Sequence, residues 1–134
     1  MEGKTKKENS GQKTVLVIED EAPLQDAIKV KLKKESLRYI PAFSAEEGAV
    51  ILKKEIPNII WLDLLLPGMG GFAFLEQLRK EPLFSNIPVV IVSVSASPEK
   101  IRRAFELNVV DYLVKSQYKL NDIVKRIKMF LNKK

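Results

Sequence analysis

The 134-residue chain carries 23 Lys and Arg against 17 Asp and Glu, a formal net charge of +6, with 46% hydrophobic and 30% charged residues. That length supports one globular domain able to bury about two thirds of its unfolded surface. The absence of cysteine and histidine excludes a disulfide framework, a thiolate metal site and histidine acid–base chemistry.

The first twelve residues, Met1 to Gln12, are polar and lack the apolar core of a signal peptide, so they read as a flexible lead-in to a domain over 13–134. No apolar run approaches the length of a membrane span, and a cytoplasmic protein is expected. The lysines are spread over every predicted helix without interleaved stacking aromatics. The basic excess therefore reads as solvated surface, with no direct nucleic-acid or membrane binding expected.

In chain order, Thr14 to Ile18 is an apolar strand running into Glu19-Asp20. Leu24, Ala27, Ile28 and Leu32 then recur at helical spacing, with Pro23 in the first turn, where its missing N–H is harmless. Arg38 to Ala42 is a short strand, and Ser44 with Glu47 three residues on opens a second helix with capping-box spacing. The strand Ile59 to Leu62 runs into Asp63, and Gly70-Gly71 opens a third helix with an apolar side of Phe72, Phe74, Leu75 and Leu78. After a loop from Pro82 to Pro88, the strand Val89 to Val92 ends at Ser93. Ser97-Pro98-Glu99 has the cap, proline and acid of a helix start. Val109 to Val114 reads as a fifth strand running into Lys115, and Leu120, Ile123, Val124, Ile127 and Leu131 define the last helix.

Strands alternating with helices imply a doubly wound α/β fold, and continuous apolar runs imply a five-stranded parallel sheet covered on both faces. Ligands in such folds sit outside the carboxyl ends of the strands. Glu19, Asp20, Asp63, Ser93 and Lys115 all fall there. Taken singly each has an ordinary explanation: the acids could favour the first helix N-terminus, Ser93 could finish a strand, and Lys115 could be solvated. Gathered at one edge they suggest a site, since three carboxylates need a cation among them. Oxygen-only ligands favour a hard ion, Mg²⁺ with Mn²⁺ as alternative, and Asp63 could then accept a phosphoryl group as an acyl phosphate. Lys115 and Ser93 would neutralise and hydrogen-bond the transferred oxygens.

The runs Val15-Leu-Val-Ile-Glu19-Asp20-Glu21, Leu62-Asp63-Leu-Leu-Leu-Pro67-Gly-Met-Gly-Gly71, Ile87-Pro88-Val-Val-Ile-Val-Ser93-Val and Asp111-Tyr112-Leu-Val-Lys115 together resemble the receiver domain of two-component response regulators. The resemblance begins near Lys13 and implies the flavodoxin-like receiver fold. It implies that Glu19 and Asp20 help hold Mg²⁺, that Asp63 is phospho-acceptor and metal ligand, and that the backbone carbonyl of Leu65 completes the protein's share. Ser93 and Lys115 would contact the phosphoryl group, and Tyr112 would be the aromatic whose rotamer follows the state. The implied partners are a sensor histidine kinase or phosphotransfer protein as donor and a downstream protein as target. The target would be engaged through the surface of the fourth helix, fifth strand and fifth helix, and homodimer formation on phosphorylation is compatible with the family. A chemotaxis-regulator-like single receiver or a phosphorelay intermediate is expected, with no enzymatic activity beyond its own phosphorylation and slow dephosphorylation.

The chain departs from the family's pattern at Ser116, where proline usually follows the lysine, and at Leu107-Asn108, where Gly-Ala is usual. Asparagine tolerates a left-handed backbone, so the turn is expected to survive. Gly71 reads equally as a feature of the Asp63 loop or as an ordinary tight join, and Trp61 reads as core. An interaction-only pseudo-receiver is the alternative. A small Mg²⁺-dependent aspartyl phosphohydrolase is less favoured, because Leu65 stands where haloacid-dehalogenase-type enzymes need a second aspartate.

Overall fold

A computed structural model describes residues 11–133, so the predicted lead-in lies almost wholly outside the described residues. Five strands form one parallel sheet: β1 (Thr14–Ile18), β2 (Arg38–Ala42), β3 (Ile59–Leu62), β4 (Val89–Ser93) and β5 (Asp111–Val114), in the order β2-β1-β3-β4-β5. Five helices connect or follow them: α1 (Ala22–Lys34), α2 (Ala45–Leu52), α3 (Gly71–Lys80), α4 (Pro98–Glu106) and α5 (Leu120–Leu131). The doubly wound arrangement expected from the alternating pattern is present.

The strands lack polar alternation because both faces are covered. Leu16, Ile18, Ile60, Leu62 and Ile91 pack against α2, α3 and α4, while Val15, Val17, Ile59, Trp61 and Val90 pack against α1 and α5. Trp61 is fully buried on the α1/α5 side, which makes it a core residue, and among the described residues its indole N–H has no acceptor. Pro41 is tolerated in β2 because that strand is at the sheet edge.

Both predicted serine caps form: Ser44 accepts from the Glu47 N–H at 3.0 Å and Ser97 from the Lys100 N–H at 3.1 Å. The reciprocal bond of the Ser44 box is displaced by one residue, with the Glu47 carboxylate accepting from the N–H of Phe43.

The fifth strand is shorter than Val109 to Val114. Asn108 adopts φ +60, and the Asn108 and Val109 N–H groups bond back to Phe105 and Ala104. This closes α4 with a Schellman motif, so Val109 belongs to the helix end and its side chain to the core. Ser36, at φ +60, closes α1 in the same way, with Leu37 bonded to Leu32. The left-handed turn expected at Asn108 is therefore realised.

Candidate functional site

Register lays out the site. Ile18 pairs with Leu62, so the next residues, Glu19 and Asp63, leave adjacent strands side by side. Ser93 pairs with Val114, so Lys115 emerges beyond Ser93. β1 leads to β2 on one side and β3 lies on the other, which puts the crevice at the point where strand order reverses.

Glu19, Asp20 and Asp63 offer carboxylate oxygens within 4.8 Å of one another. Glu19 and Asp63 are buried, whereas Asp20 is exposed. Lys115 Nζ donates to Glu19 Oε1 at 2.8 Å and to Asp63 Oδ2 at 3.3 Å. The second oxygens are held by backbone: Glu19 Oε2 accepts from the Glu21 N–H at 3.2 Å, and Asp63 Oδ1 from the Leu65 N–H at 3.0 Å. Neither Glu19 nor Asp20 supplies the N-cap of α1, which is Glu21 without a side-chain cap bond. One ammonium stands against three carboxyl groups in a space lined by hard oxygen donors. A divalent hard cation fits that donor set.

Burial pushes the Glu19 carboxyl above the ordinary carboxylate range, with the Asp63 charge adding to the rise and the Lys115 hydrogen bond opposing it. Burial alone would lower the Lys115 ammonium. The Glu19 hydrogen bond and the charges of Asp63 and Glu19 outweigh it, so its proton is held more tightly than usual. The folded state therefore binds more protons at Glu19 than the unfolded chain between the ordinary value and the raised one, and this group's contribution to stability declines as pH rises through that window. The Lys115 contribution is present below its ordinary value and is lost only as pH rises through the raised one. Metal-free Glu19→Gln should accordingly gain melting temperature relative to wild type as pH rises through the Glu19 window. Paired thermal melts across pH check this, and a flat difference contradicts it.

Gly71 turns out to be a matter of space. A Cβ there would lie 2.6 Å from both the Asp63 carbonyl oxygen and Leu64 Cα. The start of α3 thus packs directly on the backbone that carries Asp63, and no flexible side chain can yield. The preceding Gly70, at φ +81, supplies the left-handed turn into the helix. Gly71→Ala should destabilise by about 3 kcal/mol, the upper end for overpacking, and weaken divalent-ion binding by displacing Asp63. A thermal melt and a Mg²⁺ titration on one sample test both effects.

On the other side, the Ser93 hydroxyl accepts from the Ser95 N–H at 3.3 Å, and the buried Tyr112 donates to the Ser95 carbonyl at 2.6 Å. Lys100, in the first turn of α4, donates to the Ser95 hydroxyl. Ser95 is thus a junction between the end of β4, β5 and α4. The Lys100 contact is not legible in the sequence. Lys115 opens a short 3₁₀ turn, Lys115–Gln117, where proline would be usual at Ser116.

Gln25 is the other side chain that sequence reasoning misses. It falls on the buried stripe of α1 with Ile28 and Leu32, and the only signal is one polar residue on an otherwise apolar face.

Residues 15–128 match the family model described as "Response regulator receiver domain". The chain is 29% identical over 119 residues to the phosphate regulon transcriptional regulatory protein PhoB of Escherichia coli, covering 89% of this chain and 52% of that protein. It therefore spans about half the length of that relative. Among solved structures, the CheY-like receiver domain protein of Methanospirillum hungatei superposes with a TM-score of 0.83 at 26% identity, covering 91% of this chain and 95% of that one. The Mn²⁺-bound form of response regulator Rcp1 superposes with a TM-score of 0.79 at 27% identity, covering 88% and 93%. The chain belongs to the response regulator receiver domain family, whose members are signalling modules that partner with histidine kinases. Among the described residues, no helix is long and apolar enough to cross a membrane.

Proposed function

We propose that this receiver is phosphorylated on Asp63 and signals through its α4–β5–α5 surface. The observation that carries this reading is the convergence of three carboxylates within 4.8 Å at one sheet edge, bridged by a single lysine. Glu19, Asp20, Asp63 and the backbone carbonyl of Leu65 would hold Mg²⁺, or Mn²⁺, an ion also bound by Rcp1. When bound, the ion neutralises the negative charge that the acids and an incoming phosphoryl group would otherwise share.

An Asp63 carboxylate oxygen attacks the phosphorus of a phosphohistidine on a sensor kinase or phosphotransfer protein. The P–N bond breaks, the electron pair leaves with the imidazole, and an acyl phosphate remains on Asp63. Lys115, already directed at Asp63 Oδ2, pairs with the transferred oxygens. Phosphorylation adds nearly two negative charges and strong acceptors next to the Ser93 hydroxyl. Ser93 can then exchange its Ser95 N–H partner for the phosphoryl group, which frees the β4–α4 loop held by Tyr112 and Lys100. Tyr112 is already buried, so the proposed switch is an exchange of partners at Ser95 rather than a swing into empty space. Phosphorylation biases this two-state loop and thereby the surface presented to a downstream protein target.

The test is intact mass after incubation with acetyl phosphate, with and without Mg²⁺. One Mg²⁺-dependent, hydroxylamine-labile phosphoryl adduct is expected. If none forms, and beryllofluoride does not bind either, the chain is a pseudo-receiver.

A further inference from the structure

Beneath the acid pair lies a polar clamp made by Gln25. Its side chain is buried, and its amide Nε2 lies 3.0 Å from each of three backbone carbonyls, those of Val17, Glu19 and Ala42. An amide has two N–H donors, so these three acceptors share them. The other end of the amide is fixed as well: Tyr39, on β2, donates its hydroxyl to Gln25 Oε1 at 2.6 Å. That bond decides which end of the amide is oxygen, since three carbonyls could not face it.

The carbonyls tied together belong to β1, to Glu19 itself and to β2. The Glu19 N–H also bonds to the Ala42 carbonyl at 3.0 Å, so one knot fixes both sides of the Glu19 backbone. Three residues separate β1 from α1. Among the described residues no protein donor reaches the Asp20 carboxylate, so its position rests on the backbone that Gln25 holds. A polar side chain here costs buried hydrogen-bonding capacity that an apolar residue would avoid, and an apolar residue would leave the Glu19 and Val17 carbonyls without this donor.

We infer that Gln25, oriented by Tyr39, is a positioning residue for the Glu19–Asp20 pair and sets the divalent-ion affinity of the site through the backbone of Glu19. This rests on the receiver reading above. It makes α1 part of the ion site without contributing a ligand. Loss of the clamp should weaken ion binding and raise the Mg²⁺ concentration needed for phosphorylation, while the rate at saturating Mg²⁺ stays near wild type.

The experiment is a Mg²⁺ titration followed by the fluorescence of Trp61 and by calorimetry, on wild type, Gln25→Met, Tyr39→Phe and Ile28→Val. Gln25→Met keeps the volume and removes the four hydrogen bonds of the Gln25 side-chain amide. Ile28→Val loosens the packing of the same helix without touching the acid pair. The Mg²⁺ Kd is expected to rise about tenfold for Gln25→Met, the low end of what removing groups that orient metal ligands does. It should rise less for Tyr39→Phe and stay unchanged for Ile28→Val. A Gln25→Met Kd within twofold of wild type, or an equal rise for Ile28→Val, overturns the assignment. Should Gln25→Met not fold, Tyr39→Phe decides, with an unchanged Kd counting against the clamp. Wild type that binds no Mg²⁺ would be a different failure, that of the receiver reading itself.

Discussion

Asp63→Asn should take up no phosphoryl group from acetyl phosphate at any Mg²⁺ concentration, while wild type gains one adduct. The substitution is close to isosteric. Asn Oδ1 can still accept from the Leu65 N–H, which Asp63 Oδ1 holds at 3.0 Å. What disappears is the nucleophile, because an amide has no carboxylate oxygen able to form an acyl phosphate. Mg²⁺ affinity should also fall, because one of three charged ligands is replaced by a neutral one. The fold should persist, since removing one of three neighbouring negative charges relieves repulsion. Near-native circular dichroism with no phosphoryl adduct by intact mass is the expected pair of results. Retained label on Asp63→Asn would refute the assignment of the acceptor.

The parts of this site legible in the amino-acid sequence are those fixed by strand periodicity. An apolar run in a parallel sheet ends where the chain leaves the sheet, which places Glu19, Asp63, Ser93 and Lys115 at one edge. The helix starts at Ser44 and Ser97 are legible because a cap and its target lie within one turn. The start of β5 is not. Val109 and Val110 have strand-like side chains, but the Val109 N–H is taken by the closure of α4, and backbone hydrogen bonding overrides side-chain propensity there. Long-range polar contacts are likewise invisible in a linear pattern: Gln25 finds acceptors on β1 and β2, and Lys115 chooses Glu19 and Asp63 rather than Asp20. Gly71 marks a third limit. Its place in the chain shows that glycine opens the helix, but only the packing of α3 shows that the Asp63 backbone occupies the place of a side chain.

Lys115→Met should have opposite effects on the metal-free and metal-bound protein. The Lys115 side chain retains 19% exposure, and its ammonium bridges a fully buried Glu19 and a nearly buried Asp63. Removing it leaves buried carboxylates facing one another with no cation. Breaking a buried pair in this way costs about 3 kcal/mol, taken at the low end of the range because Lys115 is partly solvated. A domain of this size should then melt roughly 10 °C lower without metal. The same lysine competes with a metal for Glu19 Oε1 and Asp63 Oδ2, so its loss should tighten Mg²⁺ binding. Saturating Mg²⁺ should raise the variant's melting temperature by more than it raises that of wild type. Phosphoryl uptake should persist at a reduced rate, since Asp63 remains, but the exchange at Ser93 should be uncoupled from it because no ammonium holds the phosphoryl oxygens. The decisive comparison is the Mg²⁺-induced rise in melting temperature of the two proteins. An equal rise would show that Lys115 and the ion do not share the same oxygens, contrary to the placement of its ammonium between Glu19 and Asp63.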